Sequence, residues 1–350
     1  MLTDSHQDPP KKGGHLLPWP EIELPFPLRH NPHADAVRPQ TRQWAISTGM
    51  LPTTEARTWW DHVNLTALEA WCFPNAPADR LLLIDKWLSM GILFDDQFDS
   101  TPLGHQPDAT CRVMGLMMEA IENPPPLATE RQNPFAHAVT DLLAHFSEMM
   151  SPSWQRRHRH HLTLWWGGVV QAVMHRVHGT DTMTFPQRLA VRRLTVGMHA
   201  FSDLFELACH WEIPPPLLAL REIQRIRRIV TDITVYLNDL YSVERERIDG
   251  NDDNVLLAWE AEGATRHEAR TAAADQTQAL AEEFARLRTS VPDCVKAAGG
   301  STTDLDGLDR WTTTCAHYLR GASHSQAIIP RYTDTGSHLA HDHHLGATTS

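Results

Sequence analysis

Little in this 350-residue chain suggests a scaffold held by covalent or metal clips. Its five cysteines (Cys72, Cys111, Cys209, Cys294 and Cys315) are scattered and odd in number. No two of them have zinc-ligand spacing, so a zinc ribbon and a disulfide framework are excluded, and free thiols in a reducing compartment are expected. Basic side chains are also in short supply: 31 Lys and Arg stand against 43 Asp and Glu, for a net charge of -12. That surplus of acid disfavours nucleic acid or an anionic membrane as a partner. An anionic substrate would have to be held by metal ions or by a local cluster of arginine and lysine. No apolar run reaches the ~18 residues of a membrane span. The opening MLTDSHQDPPKKGG has no apolar h-region, so a soluble, cytoplasmic protein is expected. Internal repeats and alternating strand patterns are missing too, which leaves no basis for a solenoid or a sheet.

Apolar segments with helical spacing are plentiful, and proline is unevenly distributed. Eight of the 24 prolines fall in the first 40 residues, where fixed φ angles keep stretches such as LPWPEIELPFPLRHNP extended. Composition marks residues 1–23 as a flexible segment, its first ~15 residues disordered. From about Asp35 onward, segments of ~15 to 30 residues carry apolar residues at i, i+3, i+4 and i+7, as in Leu81-Leu82-Ile84-Trp87-Leu88-Ile92. Joints are expected at Pro74 to Pro77, Pro124 to Pro126, Pro152, Pro186, Pro214 to Pro216 and Pro292. A single all-α domain over residues 24–333 is the economical reading, followed by a disordered tail over 334–350. The tail holds His338, His341, His343 and His344, but nothing there fixes a coordination geometry. The run Arg156 to His161 (RRHRHH) reads as a solvated helix face rather than a ligand set.

Two acidic motifs carry chemistry, each late in an apolar helix. In Phe94-Asp95-Asp96-Gln97-Phe98-Asp99, Asp95 and Asp99 are four residues apart, so both carboxylates leave one helical face. Hard oxygen donors at this spacing suit Mg²⁺, which completes its shell with water and phosphate; an acidic helix end with no ligand is the bland alternative. In Asn238-Asp239-Leu240-Tyr241-Ser242-Val243-Glu244-Arg245-Glu246, the side chains of Asn238, Ser242 and Glu246 recur every four residues. Amide, hydroxyl and carboxylate then stack along one face. Asn and Ser are poor residues for a helix interior, and three oxygen donors in register are hard to explain as caps.

These motifs resemble the aspartate-rich motif and the NSE triad of class I terpene synthases, most closely the bacterial sesquiterpene cyclases. Arg192 lies 46 residues before Asn238, where that family has its diphosphate-sensing arginine, although adjacent Arg193 is an alternative. Arg331-Tyr332 resembles the family's closing pair, and LPFPLRHNPHADAV and Trp71-Cys72-Phe73-Pro74 also look like bacterial members. The resemblance runs from about Leu24 to Tyr332. It implies an all-α helical barrel around a central active-site cavity. It further implies three Mg²⁺ ions held by Asp95, Asp99, Asn238, Ser242 and Glu246, and a diphosphate bound by Arg192, Arg245, Arg331 and Tyr332. Arg245 stands where many members have lysine; charge is kept and bidentate contact becomes possible. Asp96 would pair with an arginine on closure, and Gly197 would mark a helix break used in activation, or only a packing kink.

The implied reaction is ionisation and cyclisation of an isoprenyl diphosphate, farnesyl diphosphate for preference, with geranyl and geranylgeranyl diphosphate as alternatives. An unreactive aromatic lining suits carbocation chemistry, and the chain has 12 Trp and 10 Phe but only four Tyr. Phe73, Trp87, Phe94 and Trp311 are candidates for that lining, against the ordinary role of aromatics as core. An elongating prenyl diphosphate synthase fits less well, because those enzymes resemble the first motif but carry a second aspartate-rich motif in place of the Asn/Ser/Glu ladder. A protonation-initiated cyclase would carry Asp-x-Asp-Asp, which is not found; Asp249-Gly250-Asn251-Asp252-Asp253 has the wrong spacing and reads as a loop. A non-catalytic isoprenoid-binding protein is the rival from another class. Both a monomer and a homodimer fit.

Overall fold

Most of the prolines that interrupt the sequence start helices, because a residue without a backbone N–H and with a preset φ costs nothing in a first turn. Pro107, Pro134, Pro152, Pro186 and Pro215 all occupy such positions. The side chain of Ser151 accepts a hydrogen bond from the Trp154 N–H, and capping boxes at Thr184–Gln187, Thr265–Glu268 and Ser301–Asp304 satisfy orphan amides in the same way.

The computed structural model describes residues 20, 22–99, 101–123, 133–179, 183–251 and 253–334. The helices are α1 (Ala34–Ser47), α2 (Thr54–Val63), α3 (Leu65–Cys72), α4 (Ala78–Asp99), α5 (Pro107–Glu122), α6 (Pro134–Met149), α7 (Pro152–His178) and α8 (Phe185–Thr195). They continue as α9 (Met198–Phe201), α10 (Leu204–Cys209), α11 (Pro215–Leu218), α12 (Arg221–Asp249), α13 (Val255–Ala261), α14 (Arg266–Ala297), α15 (Thr302–Gln326) and α16 (Pro330–Thr333). One 3-10 turn, Pro102–His105, joins α4 to α5, and no strand occurs among the described residues. The expected all-helical fold is what forms. The segment 1–19, the Pro124 to Pro126 joint and the histidines of the tail lie outside the described residues.

The long helices α4, α7, α12 and α15 enclose a central cavity, with α3 packed on α15, α14 on α12, and α5 and α6 flanking α7. All five cysteines are free thiols. Pro292 is not a joint: it lies inside α14, where Val291 and Val295, both fully buried, hold the chain on course across the missing hydrogen bond. The run Arg156 to His161 is not a solvated face either. His158 is buried, and Arg157, His158 and His161 converge with Arg227 on the fully buried carboxylate of Asp203. Charged side chains stay in an interior when a counter-charge awaits them, and here the counter-charge comes from the turn between α9 and α10.

Between α8 and α10 the chain breaks its helix at Gly197, which adopts φ +70°, a conformation that strains any residue with a side chain. A Cβ on Gly197 would also sit 3.3 Å from the ring of Trp165, whose Nε1 donates to the Thr195 carbonyl at 3.0 Å. The break is therefore fixed twice, by backbone conformation and by the indole against it. It leaves α9 as one isolated turn.

Candidate active site

Cavity-facing residues of α4 recur with helical period: Trp87, Leu88, Gly91, Ile92, Asp95, Phe98 and Asp99 form one stripe from an apolar base to an acidic rim. On the opposite wall α12 contributes Thr234, Asn238, Arg245 and Glu246. Arg331 and Tyr332 of α16 approach from the chain's far end, and the space enclosed is about 1110 Å³, part of it open to solvent. Polar groups crowd one end of this space and apolar ones the other.

The polar end is crowded with acid. Burial, with help from Asp99 and Asp96, pushes the Asp95 carboxyl well above the usual range against the pull of Arg192 and Arg331. Burial also raises Asp99 to about 6, although Arg176 opposes it. Glu246 is raised by burial and by Asp239; it accepts a hydrogen bond from Asn254 Nδ2 at 2.7 Å. These groups face one another with more negative charge than the nearby arginines neutralise. Among the described residues no three His, Cys, Asp or Glu side chains stand close enough to hold a metal by themselves. The donors present are all oxygens, a set that fits a hard divalent cation completing its shell with water and phosphate. On this chemistry the residues fit a metal.

Arg192 is the arginine at the cavity, and Arg193 is not. The Arg192 guanidinium donates to both oxygens of Asp239, to Thr195 Oγ1 at 2.9 Å and to Asn238 Oδ1 at 3.1 Å. Arg193 instead makes a bidentate pair with Asp232 at 2.6 and 2.9 Å, away from the cavity. Asp239, fully buried, also accepts from the Val255 amide, so it fixes Arg192 and the start of α13 together. Asn238 Nδ2 reaches the Tyr332 hydroxyl at 3.3 Å. Ser242 does not line the space: it is buried, and its hydroxyl donates to the Asn238 carbonyl at 2.7 Å. Asp96 sits just outside the cavity in a bidentate pair with Arg331 at 2.8 and 2.9 Å.

Of the four aromatics expected to line the cavity, only Trp87 does. Phe73 packs edge-on against Phe201 and Phe205, Phe94 against Phe98 and Phe135, and Trp311 is buried elsewhere in the core. Because α4 is apolar on nearly every side, its sequence pattern does not distinguish cavity face from core face. The rings that do face the cavity among the described residues, besides Trp87, are Phe98, Trp165, Phe201, Tyr318 and Tyr332. Sequence reasoning also missed Arg176, which donates to the carbonyls of Phe98 and Gly104 and to Asn251, and lies 3.7 Å from Asp99. Asn251 in turn donates to Asp99 at 3.0 Å, and Asp253 pairs with Arg188 at 2.8 Å. Both Asn251 and Asp253 belong to the stretch read only as a loop; Asp249 closes α12 instead, residue 252 lies outside the described residues, and Asn251 and Asp253 face the cavity.

The family model for "Terpene synthase family 2, C-terminal metal binding" matches residues 86–283, more than half of the chain. The chain belongs to terpene synthase family 2. It is 28% identical to pristinol synthase of Streptomyces pristinaespiralis over 321 residues, covering 90% of this chain and 85% of that one. It is 29% identical to the (-)-beta-caryophyllene synthase of Saccharothrix espanaensis over 298 residues, covering 84% and 82%. Among solved structures, the linalool/nerolidol synthase of Streptomyces clavuligerus superposes with a TM-score of 0.78 at 25% identity, covering 87% of this chain and all of that one. This family member is thus a metal-binding terpene cyclase with the all-helical class I fold. No described helix is long and apolar enough to cross a membrane.

Proposed function

We propose that this terpene cyclase ionises and cyclises farnesyl diphosphate in a Mg²⁺-dependent reaction that yields a cyclic sesquiterpene hydrocarbon or alcohol and free diphosphate. The observation that carries the reading is the polarity of one cavity: carboxylates and arginines at the rim, indole and phenyl faces at the base. The relative named as a (-)-beta-caryophyllene synthase that cyclises (2E,6E)-farnesyl diphosphate supports it.

In this reading residues 24–333 are the catalytic unit. Asp95, Asp99, Asn238 and Glu246 would hold three Mg²⁺ ions, joined by Ser242 once its hydroxyl turns from the Asn238 carbonyl, and the ions would supply Lewis-acid stabilisation of charge on the diphosphate oxygens. Arg192, Arg245, Arg331 and Tyr332 would hydrogen-bond the diphosphate, with Arg176 close enough to Asp99 to add a further cation to that rim. The C–O bond breaks with its electron pair leaving on the diphosphate, so preorganised donors at the rim stabilise the charge that develops there. An allylic cation remains below. Trp87, Phe98, Trp165, Phe201 and Tyr318 present π faces to it, each contributing about 0.5–2 kcal/mol when water is excluded. Gly197 admits the Trp165 ring to that wall, and the Asp96–Arg331 pair holds α16 over it.

The test is incubation of purified protein with geranyl, farnesyl and geranylgeranyl diphosphate, with and without Mg²⁺, and gas chromatography–mass spectrometry of the volatiles. A cyclic C15 product that needs both farnesyl diphosphate and Mg²⁺ is expected. Cyclic products from the C10 or C20 substrate alone would replace the chain length. No product and no diphosphate release from any of the three, in folded protein, would favour an isoprenoid-binding role.

A further inference from the structure

Away from the candidate active site, a second concavity of about 940 Å³, part of it open to solvent, is lined by Arg157, Arg221, Arg225, Arg227 and Arg228. It shares no lining residue with the first. Five arginines on one concave surface are conspicuous in a chain of net charge -12. Three carboxylates answer part of that charge. Asp203 is shared by Arg157 and Arg227, Glu206 takes Arg157 at 2.6 Å, and Glu283 takes Arg225 at 2.5 Å. Burial first of all pushes the Glu206 carboxyl up to about 7, so it counts as less than a full negative charge near neutrality.

The remaining cations have nothing opposite them. Arg221 and Arg228 have no ion-pair or hydrogen-bond partner among the described residues. Arg227 Nη1 is buried without a hydrogen bond, its nearest acceptor being Glu206 Oε1 at 3.6 Å. Arg221, Arg225 and Arg228 also fall four and three residues apart along α12, so like charges stack on one helix face, an arrangement that repels itself until an anion answers it. The field is visible at His199, which lines the same concavity: burial, then His161, Arg227 and Arg228, hold its ring down at about 4. All of this surrounds the first turns of α12, where the helix dipole adds further positive potential.

We propose that this concavity is a second anion site, built to take a small phosphate-type anion such as inorganic phosphate or diphosphate. Guanidinium forks match phosphate oxygens bidentately, and Arg221, Arg227 and Arg228 supply the donors that no protein group uses. The site lies directly behind the cyclase cavity: in the single turn of α9, Met198 and Phe201 line the cavity while His199 lines the anion site.

Isothermal titration of the full chain with inorganic phosphate and with diphosphate, in Mg²⁺-free buffer of low ionic strength, tests this. Saturable binding is expected that survives Arg245→Gln in the first cavity but weakens at least tenfold in the double variant Arg221→Gln/Arg228→Gln. Both of those arginines are exposed, and an unchanged circular dichroism spectrum establishes that the double variant folds. Comparing the two titrants decides which anion fits; tighter binding of either supports the site. The proposal is overturned if neither anion binds saturably, if Arg245→Gln alone abolishes binding, or if the double variant binds like the parent. Binding confined to anionic vesicles or a DNA oligonucleotide, with no response to the small anions, would also overturn it.

Discussion

Replacing Asp203 by asparagine should be among the most damaging single changes outside the cavity. The Asp203 carboxylate is fully buried and accepts from Arg157 Nε at 3.2 Å, Arg227 Nη2 at 2.8 Å and His161 Nδ1 at 2.7 Å, with His158 Nδ1 at 3.4 Å. Burial alone would raise its pKa, but Arg227, the nearby His158 and the hydrogen bond of His161 outweigh it and hold the group well below the usual carboxylate range. Asparagine keeps the shape, loses the charge, and leaves two guanidinium groups facing a neutral amide. Removing one partner of a buried pair costs about 3–5 kcal/mol. Unfolding entropy near 2.1 cal/mol/K per residue over 350 residues gives roughly 0.7 kcal/mol/K. The melting temperature should therefore fall by about 4–7 °C, read by calorimetry at pH 7. A depressed folded pKa stabilises the fold above the unfolded value of about 3.9, and that contribution is lost as pH falls towards the folded pKa. The gap between parent and variant should accordingly close below about pH 4. A variant melting within 1 °C of the parent at pH 7, or a gap that does not change with acidification, would refute the account of this cluster.

Three further outcomes bear on the cavity. Glu246→Gln should keep the fold, weaken Mg²⁺ binding and lose most turnover; parent-like turnover at limiting Mg²⁺ would remove Glu246 from the ligand set. Arg192→Gln should abolish diphosphate release, whereas Arg193→Gln, which breaks only the pair with Asp232, should cost about 1 kcal/mol of stability as a partly exposed pair while leaving the chemistry; equal losses of turnover would contradict this division. Asn251→Ala removes the donor to Asp99 and a partner of Arg176, so the apparent Mg²⁺ constant should rise several-fold with little change in melting temperature. No change in that constant would mean the loop does not position Asp99.

What could be read from sequence alone follows from how side chains project. A four-residue spacing inside a helix fixes a common face, so Asp95 with Asp99 and Asn238 with Glu246 were legible as facing groups, whereas the count of 46 residues rests on the family resemblance and left Arg193 as an alternative to Arg192. Contacts made across the fold leave no such mark. Asn251 and Asp253 reach the cavity from a loop, where no periodicity constrains direction, and Arg176 is one basic residue among several at the end of α7. The aromatic lining was legible as composition but not as identity, since α4 buries residues around most of its circumference. The run of Arg156 to His161 misled for a related reason. Its counter-charge, Asp203, is more than 40 residues away along the chain.

The pairing of Arg331 with Asp96 spans 235 residues, and this has a consequence for biosynthesis. Helices α4 and α12, which carry both acidic motifs, emerge from a ribosome well before the residue that ties α16 across them. A nascent chain paused after α15 would already display its carboxylates and aromatic rings, yet its pocket would stand open to water. An allylic cation generated there would be quenched by solvent. The order of translation thus makes α16 the last of the described helices to reach the cavity, and the one that narrows its opening.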